Sequence, residues 1–201
     1  DREIISDFIG DLANTGNELY QTFNARLKVQ LERNLDTHDI ICLPFGFAHD
    51  IAIKDFTNPK VETGIGYPNS YQDFRIFESN AWYHYEIGRE GKSGHDYNWV
   101  IANYFKVDDW DFNPNPERYV AYFGRLSHIK GVNIVSEIAQ ARPDLQFKIC
   151  GQGDPTPFLT SPNIEYVPPI HGRERSKFLN NAMAVIMPTR YVEPFGGVTV
   201  E

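Results

Sequence analysis

Two short segments of this chain hold residues suited to a charged, hydroxylated ligand. In FGRLSHIKG (123–131) a glycine precedes two cations five positions apart, Arg125 and Lys130. Arginine presents a planar fork that binds phosphate oxygens in pairs, and lysine a compact charge. With a helix N-terminus beside them they make an anion site without a metal, suited to the diphosphate of a sugar nucleotide. The same pair also reads as two surface cations in a βα loop. In EPFGGVTVE (193–201) seven residues separate Glu193 from Glu201, with Gly196 and Gly197 between them. Carboxylates accept from vicinal sugar hydroxyls, and paired glycines let backbone N–H groups approach a ligand closely. If Val198 begins a helix, Glu201 lies in its first turn and reaches the same cleft. The plainer reading is a Pro-Gly turn between surface glutamates. A third segment, GQGD (151–154), lacks the spacing of a dinucleotide fingerprint and reads as a tight turn lining a nucleotide cleft.

These segments need a scaffold, and the second half of the chain supplies an alternating one. YVAYFG (119–124), LQFKICG (145–151), IEYV (164–167) and AVIMPT (184–189) read as strands. Residues 131–142 and 173–181 read as helices, the first with Val132, Val135, Ile138 and Ala139 inward and Pro143 at its end. Such alternation implies parallel βαβ units, which place ligands beyond the carboxyl ends of their strands. Gly124-Arg125, Gly151 to Asp154 and Glu193 to Gly197 all follow strands.

The first half is less regular. Leu19, Phe23, Leu27, Leu31 and Leu35 predict one helical stripe. DIICLPFG and VETGIGY predict strands near residues 39–46 and 61–67. Phe74, Phe77, Ala81 and Tyr85 fall at helical spacing, so residues 75–88 are expected as a helix stopped by Gly88. Residues 89–96 read as a polar loop and 99–102 as a buried strand. VDDWDFNPNP, acidic and proline-bearing, predicts a linker over 107–117 between a domain at 1–106 and one at 118–201.

Composition narrows the function classes. Hydrophobic residues are 41% and charged residues 23% of 201, near the globular average. A net charge of −8 argues against a nucleic-acid binder, which needs a basic stripe to displace phosphate counterions. Cys42 and Cys150 sit in apolar runs and are expected as buried, reduced thiols. No membrane-length apolar stretch is present, and DREIISDFIG lacks the pattern of a secretion signal, so a cytoplasmic location is expected, with peripheral membrane contact left open. The chain opens without Met and stops just after the last motif, so a fragment of a longer protein is expected.

FGRLSHIKG, FKICGQGD, FLNNAMAVIMPT and EPFGGVTVE, in this order and spacing, resemble the C-terminal domain of retaining glycosyltransferases of family 4, the large group 1 class with the GT-B fold. That resemblance covers about residues 118–201. Residues 1–105 are more loosely similar to the later part of the N-terminal domain, and ETGIGY, FRIFESNAWYHY and NYF are similar to a bacterial and metagenomic subset of these enzymes. The resemblance implies an α/β fold of two Rossmann-like parallel-sheet domains, both incomplete here. It implies that Arg125 and Lys130 hold the diphosphate and stabilise its growing charge. Glu193 and the backbone N–H groups of Phe195, Gly196, Gly197 and Val198 would bind the donor sugar, Glu201 the ribose hydroxyls, and Gly124 and Gly151 would line the donor cleft. The implied reaction retains configuration and uses a nucleoside-diphosphate sugar, with no metal and no further cofactor, on a glycan, lipid or small-molecule acceptor. On the acceptor side Tyr67 and His84, with Glu62, are the polar candidates, and Trp82 to Tyr85 the aromatic face. An inactive or truncated nucleotide-sugar-binding module is the alternative; a nicotinamide oxidoreductase is disfavoured by the missing G-x-G-x-x-G.

Overall fold

A computed structural model describes residues 16–201. The reading of DREIISDFIG lies outside the described residues. The described residues divide into two compact units, 16–103 with 193–195, and 104–192 with 196–201.

The first unit contains α1 (Glu18–Asn34), β1 (Ile41–Leu43), a short α2 (Asp50–Ile53), β2 (Lys60–Ile65), β3 (Phe74–Phe77), α3 (Asn80–Glu90) and β4 (Asn98–Val100). Its four strands are all parallel, in the order β1-β2-β3-β4. Asn17 caps α1 by accepting from the Tyr20 N–H at 2.9 Å. Leu27, Leu31 and Leu35 pack on Ile41, Leu43 and Ile53, but Leu19 and Phe23, the first members of the stripe, are exposed. Buried Asn24 takes the inward place beside Phe23, donating to the Ala48 carbonyl at 2.8 Å.

Three expectations for this unit are corrected. Residues 74–77 form a strand, not the start of a helix. Arg75 and Phe77 are buried while Phe74 is exposed, a two-residue alternation disguised by a cation at a buried position. The helix begins only after Ser79, whose Oγ accepts from the Trp82 N–H at 3.1 Å. It runs past Gly88 to Gly91, which closes it at φ +65° with its N–H on the Gly88 carbonyl. Trp99, expected buried, is 64% exposed on the edge strand β4. Cys42 is exposed too, because it points away from the core in the other edge strand, β1; both thiols are free.

The second unit contains β5 (Tyr119–Phe123), α4 (Val132–Ala141), β6 (Gln146–Cys150), β7 (Ile164–Val167), α5 (Gly172–Asn180) and β8 (Ala184–Val185). The sheet is parallel, in the order β7-β6-β5-β8. Tyr122, Phe147 and Ile149 face α4, where Val132, Val135 and Ala139 are fully buried. Tyr119, Ala121 and Cys150 form the other layer with Phe178 and Leu179 of α5. Burial on both faces explains why these strands read as continuous apolar runs. Buried Asn163 directs its amide at the carbonyls of Ala139, Arg142 and Leu145, at 2.8–3.1 Å, satisfying the end of α4 where Pro143 stops it.

The fourth strand is shorter than expected, since only 184–185 of 184–189 form regular strand, although Ile186 still donates to the Ala121 carbonyl at 2.8 Å. Residues 107–117 begin with a 3-10 turn (Val107–Asp109) and then lie along α5. The Asn113 amide donates to Asn181 Oδ1 at 2.9 Å, and the Glu117 N–H to the Asn181 carbonyl at 2.7 Å.

Candidate functional site

In the second unit the glycine-bearing loops after β5 and β6 are joined through their main chains. At the carboxyl end of β5 the Gly124 N–H donates to the Cys150 carbonyl at 2.9 Å, and the Leu126 N–H to the Gln152 carbonyl at 2.7 Å. A Cβ at Gly151 would stand 1.8 Å from the Gly124 carbonyl oxygen, so only glycine lets the two loops meet. Tyr122 Oη donates to the Arg125 carbonyl at 2.6 Å and fixes the turn from below. Arg125 itself is exposed.

The turn returns toward α4 through a 3-10 segment, His128–Lys130. Gly131 sits at φ +76°, and a Cβ there would lie 2.0 Å from the Pro188 carbonyl oxygen. This close approach docks the stretch after β8 on the loop: the Arg190 N–H donates to the Ile129 carbonyl at 3.0 Å. Half-buried Lys130 donates through Nζ to Tyr191 Oη at 2.5 Å and stands 4.9 Å from that ring's centre. Lys130 is therefore oriented by Tyr191, which sequence reasoning did not single out.

Glu201 is fixed by Arg175. The two form an ion pair, Nη2 to Oε2, with the Glu201 side chain only 5% exposed. The Arg175 guanidinium lies 4.5 Å from the ring centre of Phe123, the last residue of β5, and 5.7 Å from that of Trp110. Burial lowers the pKa of this guanidinium from its usual value, and its Nε is buried without a hydrogen-bond partner. Such an orphaned donor at strand ends is the kind of group a ligand satisfies. Arg175 was also missed from the sequence. A signal existed, because Phe178 and Leu179, three and four residues on, put Arg175 on the inward face of α5. A cavity of about 580 Å³ opens beside it, lined by Trp110, Arg173, Lys177 and Asp108 among others.

The final motif departs from expectation in one respect. Val198 does not begin an α-helix. Gly196, at φ +75°, leads into a single 3-10 turn, Gly197–Thr199, and the left-handed glycine tightens the chain into bonds from Thr199 and Val200 to Gly196 and Gly197. Val198 packs against the α5 layer of the core. Glu201 still falls in this first turn, its N–H on the Gly197 carbonyl at 3.3 Å. Glu193 and Phe195 are half-buried and group with the first unit.

The acceptor-side candidates behave differently from one another. Tyr67 Oη donates to Glu62 Oε2 at 2.8 Å, and burial, reinforced by the Glu62 charge, pushes the Tyr67 pKa well above its usual value, so the phenol stays a donor. Glu62 is fully buried and also accepts from the N–H groups of Tyr71 and Gln72, at 2.5 and 2.7 Å. It therefore holds the β2–β3 loop. His84 is exposed on α3, its ring 5.0 Å from that of Tyr83. Trp82 is buried and donates through Nε1 to the Tyr67 carbonyl at 3.3 Å, so most of the aromatic run serves packing.

No protein-family model and no curated protein matches this sequence. Solved structures do match. The fold is that of GT-B glycosyltransferases, an α/β architecture of two parallel sheets with helices. It is similar to AviGT4, a glycosyltransferase involved in avilamycin A biosynthesis, at a TM-score of 0.65 and 18% identity over 87% of this chain and 55% of that one. It is similar also to sucrose-phosphate synthase from Thermosynechococcus elongatus, at a TM-score of 0.68 and 15% identity over 91% of this chain and 58% of that one. The chain thus spans a little over half the length of these neighbours. No described helix is long and apolar enough to cross a membrane.

Proposed function

We propose that this chain carries the donor-binding side of a glycosyltransferase that moves a sugar from a nucleoside-diphosphate sugar to a glycan, lipid or small-molecule acceptor. The observation that carries the reading is the loop assembly of the second unit. Gly124, Gly151 and Gly131 allow main-chain contacts that bring Arg125, Lys130 and the Arg175–Glu201 pair to the carboxyl ends of one parallel sheet. A diphosphate meets two cations there, Arg125 exposed for bidentate contact and Lys130 pre-oriented. Glu201, held by Arg175, offers its carboxylate to the ribose hydroxyls. Glu193 and the Phe195 to Val198 backbone serve the donor sugar.

Chemically, the two cations stabilise the charge that develops as the sugar leaves the diphosphate, which is transition-state stabilisation by preorganised charge. We assign the reaction to the retaining, family 4 type, independent of a metal and of further cofactors, and place it in the cytoplasm. The resemblance in the four second-unit motifs supports the reaction type and its independence of a metal.

Calorimetric titration with UDP, GDP, ADP and NAD tests the reading. One nucleoside diphosphate is expected to bind selectively, and Arg125→Ala to weaken it by roughly 1.5–3 kcal/mol, the scale of a hydrogen bond to a charged group. Equal affinity of both proteins for every ligand removes Arg125 from the site, and tight NAD binding favours an oxidoreductase. A nucleotide-sugar-binding module without turnover is a second reading. Binding without sugar release or transfer identifies it.

A further inference from the structure

Of the carboxylates that the first unit withdraws from water, Glu62, Glu86 and Glu90 each have two or more partners. Glu62 accepts from Tyr67, Tyr71 and Gln72. Glu86, fully buried, accepts from the Asn69 N–H and pairs with Arg89 at 2.9 Å. Glu90 pairs with buried Arg75 at 2.7 Å and with Lys92 at 3.3 Å. These three are structural: they fasten the β2–β3 loop and α3.

Glu78 is the exception. It follows the last residue of β3, and its N–H donates to the Ile65 carbonyl at the end of β2, at 3.3 Å. Among the described residues no cation pairs with it, and its side-chain partner is the amide of Asn103, beyond β4. Burial pushes its carboxyl pKa up, with Asn103 working the other way. At the end of β2, Gly66 leaves room for it: a Cβ there would stand 2.6 Å from Glu78 Oε2. So the ends of three neighbouring parallel strands present a glycine, a carboxylate and an amide, where open parallel sheets bind ligands.

An uncompensated, half-buried carboxylate is costly unless something satisfies it. It repels anions and suits neutral hydroxyl donors, and an adjacent amide adds one donor and one acceptor. We propose that Glu78 and Asn103 form a binding site for an uncharged, polyhydroxylated sugar, Glu78 accepting from its hydroxyls. Within the glycosyltransferase reading, on which its assignment as the acceptor site rests, this site takes a neutral carbohydrate acceptor rather than a phosphorylated or carboxylated one.

The test is saturation-transfer NMR on the full chain with glucose, galactose, mannose and N-acetylglucosamine, and with glucuronate and glucose 6-phosphate as anionic counterparts. At least one neutral sugar is expected to bind, no anionic one to bind more tightly, and Glu78→Gln to weaken the neutral sugar at least fivefold. Gly66→Ala, whose backbone suits alanine but whose methyl crowds Oε2 and, at 3.0 Å, Pro194 Cβ, is expected to do the same with Glu78 intact. Unchanged sugar binding in both variants, preference for an anionic sugar, or no sugar binding overturns the proposal. Nucleoside-diphosphate affinity, measured alongside, is expected to be unchanged in Glu78→Gln. Its absence in the wild type defeats the glycosyltransferase reading, while sugar binding lost in Glu78→Gln still establishes the site.

Discussion

The loops at the strand ends of the second unit are held by main chain, through Gly124, Gly131 and Gly151 and hydrogen bonds between neighbouring turns. The β2–β3 loop of the first unit is held by charge, with Glu62 and Glu86 buried beneath it and Arg75 beside them. Main-chain clamps spend no side chains of their own, and Arg125 beside them is exposed. Charged clamps consume the side chains they use, and Glu78, whose side-chain partner is the Asn103 amide, stands apart from the carboxylates that fasten the loop.

The comparison breaks most sharply at the glycines. Gly151→Ala forces a methyl against the Gly124 carbonyl oxygen, and is expected to destabilise the second unit by more than about 4 kcal/mol. A denaturation midpoint close to wild type would show that the loops do not depend on this contact. Glu62→Ala strands two backbone N–H groups and a tyrosine hydroxyl in the interior. Urea unfolding is expected to show a loss of about 3–5 kcal/mol, since each buried donor left unsatisfied costs about 1–3 kcal/mol, and near-neutrality would make the clamp incidental.

Acid sharpens the contrast. Burial alone would raise the pKa of Glu90, but Arg75 and Lys92 outweigh it and hold the folded value below 4.5, the ordinary one. A group with a depressed folded pKa contributes stability that is present above its unfolded pKa and lost as pH falls through the folded one. The urea midpoint is therefore expected to fall as pH drops below about 4.5, and less steeply in Glu90→Gln. Equal slopes in the two proteins would remove Glu90 from the charged network. The smallest effect is expected at the helix cap: Ser79→Ala removes the hydrogen bond to the Trp82 N–H and is expected to cost about 1 kcal/mol, read from thermal unfolding. A larger loss would give Ser79 a role beyond capping.

The same contrast decides what the sequence revealed. β5, α4, β6, β7 and α5 are legible because their strands are apolar runs and their loops are marked by glycine. In the first unit Arg75 occupies a buried strand position, so the two-residue alternation of 74–77 is hidden and a helix is read in its place. Glu62 reads as an acceptor-side polar candidate, and it is buried as a clamp. Asn24 and Glu86 are core residues of types that usually face water. At the site the motifs point to Arg125, Lys130 and Glu201, but not to Tyr191 and Arg175, which orient two of them. Those partners act through folding contacts 61 and 26 residues away in sequence, and the local mark on Arg175 is only its spacing to Phe178 and Leu179.

The central claim is that nucleotide binding belongs to the main-chain-clamped loops of the second unit. Amide hydrogen exchange with and without the best-binding nucleoside diphosphate tests it directly. The account predicts added protection in residues 124–131, 150–153 and 196–201, with little change in 66–73. Protection confined to the first unit, or binding with no change in those loops, would contradict it.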